Sequence, residues 1–294
     1  MIFTGSIPAV ITPFNKKLEI DYDCLEKHIN FLIAEGSHGL VSCGTTGESP
    51  TLSHDEHKKV TEFIIEKTNS RLPIMAGCGS NSTEETLDLV RHAKMSGANG
   101  TLLVTPYYNK PSENGLYEHF KKIATENDGF PIYLYNIPGR SVIRISDRLM
   151  KRLSKIPNIV GVKDATADLS IPMEVRHNCG KEFHQLSGED ATFLAFLVNG
   201  GIGCISVTAN ITPRICAEIY NNWEKRNIDE SMRLNQLLYP LNKALFLETS
   251  PCPVKYALSK LKRCQNIMRL PLTSINQETK IEIDKVLKNL NLIK

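Results

Sequence analysis

A lysine ends the run "IVGVKDAT" at residues 159–166, with Asp164 directly behind it. Four of the first five residues are apolar or glycine and read as a buried strand. A lysine stem among Val160, Val162 and neighbouring strands is partly desolvated. Desolvation disfavours the ammonium and lowers its pKa from ~10.4. A neutral amine attacks a ketone and gives a Schiff base. The alternative is a lysine that snorkels from the strand end to water or pairs with a carboxylate. The stretch by itself leaves both open.

Other segments could work beside it. In "GLVSCGTT" (39–46) a phosphate loop would need lysine where Thr45 stands, so nucleotide binding is poorly supported. The same turn, continued as "GTTGES" (44–49), suits anion capture. Gly44 and Gly47 let backbone N–H groups turn inward, and Thr45 and Thr46 add hydroxyl donors. A plain strand-to-helix turn with a cap is the other reading. Tyr107, Tyr108 and Tyr135 carry phenols that can relay protons or simply pack at a rim. Arg140, after "IPG", offers a fork for a carboxylate or a solvated surface charge. His54 and His57 stand three apart in "HDEH", which is not H-E-x-x-H and has no third ligand at a fixed offset. No catalytic metal is expected.

Something must hold these groups together. Apolar runs at 6–12, 39–43, 73–77, 100–105, 132–136, 159–163, 184–187 and 204–208 alternate with amphipathic stretches. Ser53–Glu56 and Ser82–Glu85 both fit a capping box, and glycine at "AEGSHG" and "SGANG" marks helix ends. Eight strand–helix units within about 225 residues predict an α/β fold, the (β/α)₈ TIM barrel. An open doubly wound sheet would carry a glycine-rich turn after its first strand. Here "TPFNKKLEID" follows, without glycine. In a barrel, strand C-terminal ends face the site, which is where 44–48, 105–111, 135–140, 163–166 and 187–190 fall. Beyond about residue 226 the pattern turns helical, at 228–248, 254–263 and 277–292. The chain therefore reads as a catalytic barrel over 1–226 and a C-terminal helical extension over 227–294.

Composition narrows the class. The 294 residues carry 35 basic and 32 acidic side chains, a net charge of +3, with no basic block to favour nucleic acid. No run approaches the ~18 apolar residues of a membrane span. "MIFTGSIPAVITPF" lacks the basic start of a signal peptide and reads as a first strand. Eight cysteines form no C-x-x-C pair, and several lie in apolar runs, as free thiols of a reducing cytoplasm do.

Together these motifs resemble one family, the pyruvate-dependent class I aldolases and lyases of the dihydrodipicolinate synthase type. The match rests on "GTTGES" (44–49), "TPYYNKP" (105–111), "YNIPGR" (135–140), "GVKDAT" (161–166), "LSGED" (186–190) and "ISVTAN" (205–210), in family order. It runs from "FTGSIPAVITPF" to residue 272, nearly the whole chain. The resemblance implies condensation of pyruvate with L-aspartate 4-semialdehyde to 4-hydroxy-tetrahydrodipicolinate, the first committed step toward diaminopimelate and lysine. It implies that Lys163 forms the imine and that Thr46, Tyr135 and Tyr108 relay protons, with Tyr108 supplied by a neighbouring subunit. Thr45 and Thr46 would hold the pyruvate carboxylate, Arg140 would meet the semialdehyde, and Gly188 and Ile205 would line the pocket. No cofactor or metal is implied beyond the lysine imine. A cytoplasmic homotetramer, a dimer of dimers, is implied as the assembly. A feedback site for lysine maps onto Ser49, His54, His57, Asn81, Glu85 and Tyr107.

Two departures stand out. Ser141-Val142 replaces the usual Thr-Gly at the mouth, and Asp164 stands where Glu is common. N-acetylneuraminate lyases and 2-keto-3-deoxy sugar acid aldolases share the lysine chemistry, but Arg140 with Thr45-Thr46 favours the synthase type. A non-catalytic metabolite sensor on the same fold would lack Lys163, Tyr135 or Thr46, and all three are present.

Overall fold

The structure, a computed structural model, describes residues 3–294. Its strands are β1 (Gly5–Pro8), β2 (Leu40–Ser42), β3 (Ile74–Gly77), β4 (Gly100–Val104), β5 (Ile132–Asn136), β6 (Ile159–Asp164), β7 (His184–Ser187) and β8 (Gly203–Ser206). They run parallel in the order β1-β8-β7-β6-β5-β4-β3-β2. The ends of that order meet. His38 N donates to Ser6 O at 2.9 Å, and Val10 N donates to Val41 O at 3.0 Å. The result is a (β/α)₈ barrel.

The first six intervening helices are α1 (Tyr22–Ala34), α2 (His54–Thr68), α3 (Thr83–Met95), α4 (Glu113–Glu126), the single turn α5 (Pro138–Ser141) and α6 (Asp147–Leu153). Then come α7 (Ile171–Cys179), α8 (Phe193–Val198) and α9 (Pro213–Glu224). Last are α10 (Ile228–Ala244), α11 (Cys252–Lys260) and α12 (Gln277–Asn289). All eight expected strands are present; the first is cut back most, and β2 at Leu40–Ser42 and β8 at Gly203–Ser206 are also shorter than expected. β1 ends at Pro8, and Ala9 makes only a bridge to Val41. The late helices end a few residues earlier than expected.

One capping expectation holds in full and one by half. At Ser53 the hydroxyl accepts from Glu56 N and the Glu56 carboxylate reaches back to Ser53 N. Ser82 accepts from Glu85 N, but the Glu85 carboxylate is bound by Ser80 and His54 instead. Ser82 N finds Ser80 Oγ at 3.2 Å. A hydroxyl of the preceding loop and an imidazole of α2 take the carboxylate in place of the cap. Gly36 and Gly97, just past α1 and α3, take the left-handed φ that stops a helix cheaply.

Inside the barrel Phe3, Ile7, Met75, Tyr133, Leu186 and Ile205 pack together. A second shell, with Ile132, Leu134, Ile159 and Val162, faces the helices. Between Ile132 and Tyr133 the β5–β6 register slips by one, so that Tyr133 pairs with Gly161 and Tyr135 with Lys163. An unslipped pairing would set Val162 beside Tyr135 and turn Lys163 toward the outer layer. The irregularity re-aims one side chain, the usual use of a bulge next to a site. Helices α10, α11 and α12 share a core with residues after β8, including Leu238, Leu241, Val254, Leu258, Ile283 and Val207.

Candidate active site

Lys163 stands at the C-terminal end of β6, buried at 7 % relative exposure. Its Nζ lies 4.0 Å from the centre of the Tyr135 ring. Among the described residues no hydrogen bond or ion pair engages this amine. The other deeply buried lysine, Lys255, differs: it is fully enclosed and paired with Glu48. The Lys163 amine is thus enclosed beside an aromatic ring, with no carboxylate within ion-pairing reach among the described residues. The snorkelling and ion-paired readings of Lys163 therefore fail on geometry.

The stem of Lys163 is held by close packing. A Cβ at Gly188 would lie 2.9 Å from Lys163 Cε and 2.7 Å from Ala165 Cβ. Gly188 N donates to Asp164 O at 2.6 Å, which ties β6 to the loop after β7. Ile205 faces the same interior. Behind the lysine, Asn136 Nδ2 donates to Asp164 Oδ1 at 3.0 Å, and Thr166 Oγ1 donates to Oδ2 at 2.6 Å. Burial raises the Asp164 pKa, and these bonds oppose it. The network clamps the ends of β5 and β6, the strands that carry Tyr135 and Lys163.

Asp190 is buried nearby. It accepts from Ser206 Oγ and from the amides of Val207 and Thr208 at 2.9 and 3.2 Å. Burial pushes its carboxyl pKa up, as it does for Glu189. "LSGED" was legible as a strand-end loop, but the anchoring role of Asp190 depends on β8 and was missed.

Thr45 and Thr46 open the short turn Thr45–Gly47, with Thr46 buried. The turn is pinned by Thr12 Oγ1, which donates to Gly47 O at 2.6 Å. The described hydrogen bonds leave the Thr45 and Thr46 amides and hydroxyls unused, which makes the turn a small donor nest at the barrel mouth. No described bond joins Thr46 to Tyr135. Tyr108 is 89 % exposed, with its φ at +72°. Tyr107 is partly exposed beside it. Arg140 lies on α5, and its Nη2 reaches Ser250 O at 3.4 Å.

The residues matched to a lysine site partly gather. His54 pairs with Glu85, and His57 Nε2 bonds Gly77 O at 2.9 Å. Asn109 Nδ2 bonds Asn81 O at 2.9 Å. Ser49 follows the donor turn. Burial lowers the His57 pKa to about 4, so it is neutral at physiological pH. Among the described residues no cluster of three or more metal-ligating side chains forms.

Sequence comparison decides the family. The model of the Dihydrodipicolinate synthetase family matches residues 2–290. The chain belongs to that family. A 4-hydroxy-tetrahydrodipicolinate synthase of Rhodospirillum centenum is 53 % identical over 279 residues, 95 % of each chain. A solved family member from Acinetobacter baumannii, a chloride-inhibited dihydrodipicolinate synthase complexed with pyruvate, is 40 % identical. It superposes with a TM-score of 0.96 over 99 % of this chain and 100 % of that one. Another, from Cyanidioschyzon merolae with lysine bound, is 33 % identical, with a TM-score of 0.95 over 99 % of both chains. The family is one of lyases of the class I aldolase type, so the sensor reading falls away. No helix among the described residues is long and apolar enough to cross a membrane.

Proposed function

We propose that this chain condenses pyruvate with L-aspartate 4-semialdehyde through an imine on Lys163, giving 4-hydroxy-tetrahydrodipicolinate on the route to diaminopimelate and lysine. The observation that carries the reading is a buried lysine amine over the Tyr135 ring, with no ion-pair partner among the described residues.

In the first step Nζ adds to the pyruvate ketone and water leaves. The protonated imine is an electron sink, so a methyl proton departs and an enamine forms. The enamine carbon attacks the aldehyde, and a new carbon–carbon bond forms as the aldehyde oxygen takes a proton. The amine of the second substrate then replaces Nζ, closing the ring and freeing Lys163. Tyr135, Thr46 and Tyr108 serve the proton transfers. The Thr45–Thr46 donors take the pyruvate carboxylate, Arg140 meets the semialdehyde carboxylate, and Gly188 and Ile205 line the pocket. The reaction uses the lysine imine and no separate cofactor.

The exposure of Tyr108 supports its supply to a neighbouring copy, in a homotetramer built as a dimer of dimers. The catalytic unit is the barrel, 1–226, with 227–294 as its helical extension. Eight unpaired cysteines fit a reducing cytoplasm. The cluster of His54, His57 and Glu85, with Ser49, Asn81 and Tyr107, is the site we assign to feedback by lysine.

Borohydride reduction with pyruvate should add one pyruvate-derived mass at Lys163 and none in Lys163→Ala. Steady-state assays should show turnover of aspartate semialdehyde and no cleavage of N-acetylneuraminate. A trapped mass elsewhere, or Lys163→Ala turning over at the parent rate, overturns the reading. Millimolar lysine should slow turnover, and an unchanged rate removes the feedback assignment.

A further inference from the structure

The carboxylate turn ends in a residue that the reaction does not use. Glu48 has the left-handed φ of +54° and no exposed side-chain surface. Its backbone is tied into the turn: Glu48 N donates to Thr45 O at 3.1 Å, and Thr51 N donates to Glu48 O at 3.0 Å. Its carboxylate turns toward the C-terminal extension. One oxygen takes the ammonium of Lys255, 207 residues further along the chain, and the other accepts from Arg269 N at 3.3 Å.

Lys255 is equally enclosed. It lies on α11, between Val254 and Tyr256 in the C-terminal core. Its Nζ donates to Ile267 O at 2.9 Å and lies 4.2 Å from the centre of the Phe14 ring. Arg269 stacks on the same ring at 4.5 Å and forks onto Glu56 in the first turn of α2. The charged groups of this strut thus find partners, and its foot stands in a packed helical core.

We propose that the buried Glu48–Lys255 pair positions the pyruvate-carboxylate turn, making α11 of the C-terminal extension a working part of the substrate site. This rests on the reading of Thr45 and Thr46 as the carboxylate donors. Glu48 and Lys255 are positioning residues: neither touches a reacting atom, and both act through the turn. Only Thr46 and Gly47 separate Thr45 from Glu48, and the Glu48 N–H is bonded to Thr45 O. A shift of the Glu48 side chain therefore moves the donors. Without Lys255 the carboxylate would stay buried with its ion-pair partner gone, and the one cation left near it, Arg269, is already forked onto Glu56. The carboxylate would have to turn outward or take up a proton, and either change releases the turn.

The test compares Lys255→Met, Glu48→Asp and the double variant Glu48→Gln/Lys255→Met with the parent, in the full chain, below each melting transition. Lys255→Met should raise KM for pyruvate by about tenfold or more, with kcat less affected, since loosened donors weaken binding before chemistry. Glu48→Asp keeps the charge but shortens the strut by one methylene, and should raise KM in the same direction. The double variant replaces the orphaned charge with a neutral amide that still accepts from Arg269 N. It should recover most of the lost affinity. A purely structural pair would lower the melting temperature and leave KM alone. Folded Lys255→Met with an unchanged KM overturns the proposal. Should that variant fail to fold, an unchanged KM in Glu48→Asp does so. Borohydride trapping of the parent with pyruvate separates the two claims. Parent protein that does not trap refutes the imine reading, whereas trapping with variant-independent half-saturation refutes only the strut.

Discussion

Gly188→Ala offers a sharp test of how the nucleophile is held. The glycine has no left-handed φ, so the new methyl acts through space and not through backbone strain. Its Cβ would lie 2.9 Å from Lys163 Cε, 2.7 Å from Ala165 Cβ and 3.1 Å from Asp164 O. Carbon atoms settle at about 3.5–4.0 Å, so the lysine stem must retreat by about 0.6–1.1 Å. The Ala165 backbone is tied to Asn136 O, and Asp164 O accepts from Gly188 N, so the lysine stem gives way most easily. A misplacement of about 1 Å at a reacting centre costs on the order of 10²-fold in rate. Overpacking should cost about 1–3 kcal/mol of stability, which is separable from the rate effect by assaying below the transition. The measurement is kcat/KM for pyruvate at saturating semialdehyde, alongside the rate of borohydride trapping. A folded variant within threefold of the parent on both counts would refute the claim that Gly188 sets the lysine's position.

Three further outcomes follow from the geometry. Val142 sits at φ +69°, ψ −33°, 63 % exposed, a conformation that punishes a β-branched residue. Val142→Gly should relieve more strain than it adds in unfolded-chain entropy, a net gain of about 1 kcal/mol and a melting rise of roughly 2–4 °C, read by calorimetry. A fall would show that the loop is not strained. His28 is fully buried, bonds Asn210 Oδ1 through Nε2 at 3.0 Å, and has its pKa lowered by burial to about 4. The unfolded chain therefore binds a proton that the folded one refuses. The stability this group contributes is complete above about pH 6.5 and is lost as pH falls toward its folded value. The loss is about 2 kcal/mol by pH 5. Urea titrations at pH 7 and pH 5 should show a flatter dependence in His28→Gln, and equal slopes would remove the assignment. Tyr108→Phe should lower kcat by about 10²-fold through loss of a proton carrier, while leaving the melting temperature within about 2 °C. A kcat within threefold of the parent would take Tyr108 out of the relay.

Much of this molecule was legible in its sequence because strands and helices leave local marks. The apolar run 132–136 coincides with β5, since a strand buried on both faces needs nothing beyond its own residues to announce itself. Ser53 and Glu56 formed their box for the same reason: both partners lie within one turn. Lys163, Thr46 and Tyr135 could be singled out because polar groups at the ends of apolar runs are locally anomalous. What the residues alone left open was where each side chain points. Only the register slip between β5 and β6 turns Lys163 inward, and it is set by pairing between segments far apart in the chain. Only the packed C-terminal helices bring Lys255 to Glu48, leaving one buried lysine neutralised and the other free. Glu85 followed Ser80 and His54 instead of its own cap, and Asp190 found Ser206 on the neighbouring strand. Chain-local rules fixed which elements exist. Charge pairing and direction across the barrel were decided by folding, because an ion's partner and a side chain's face depend on neighbours that sequence distance does not reveal.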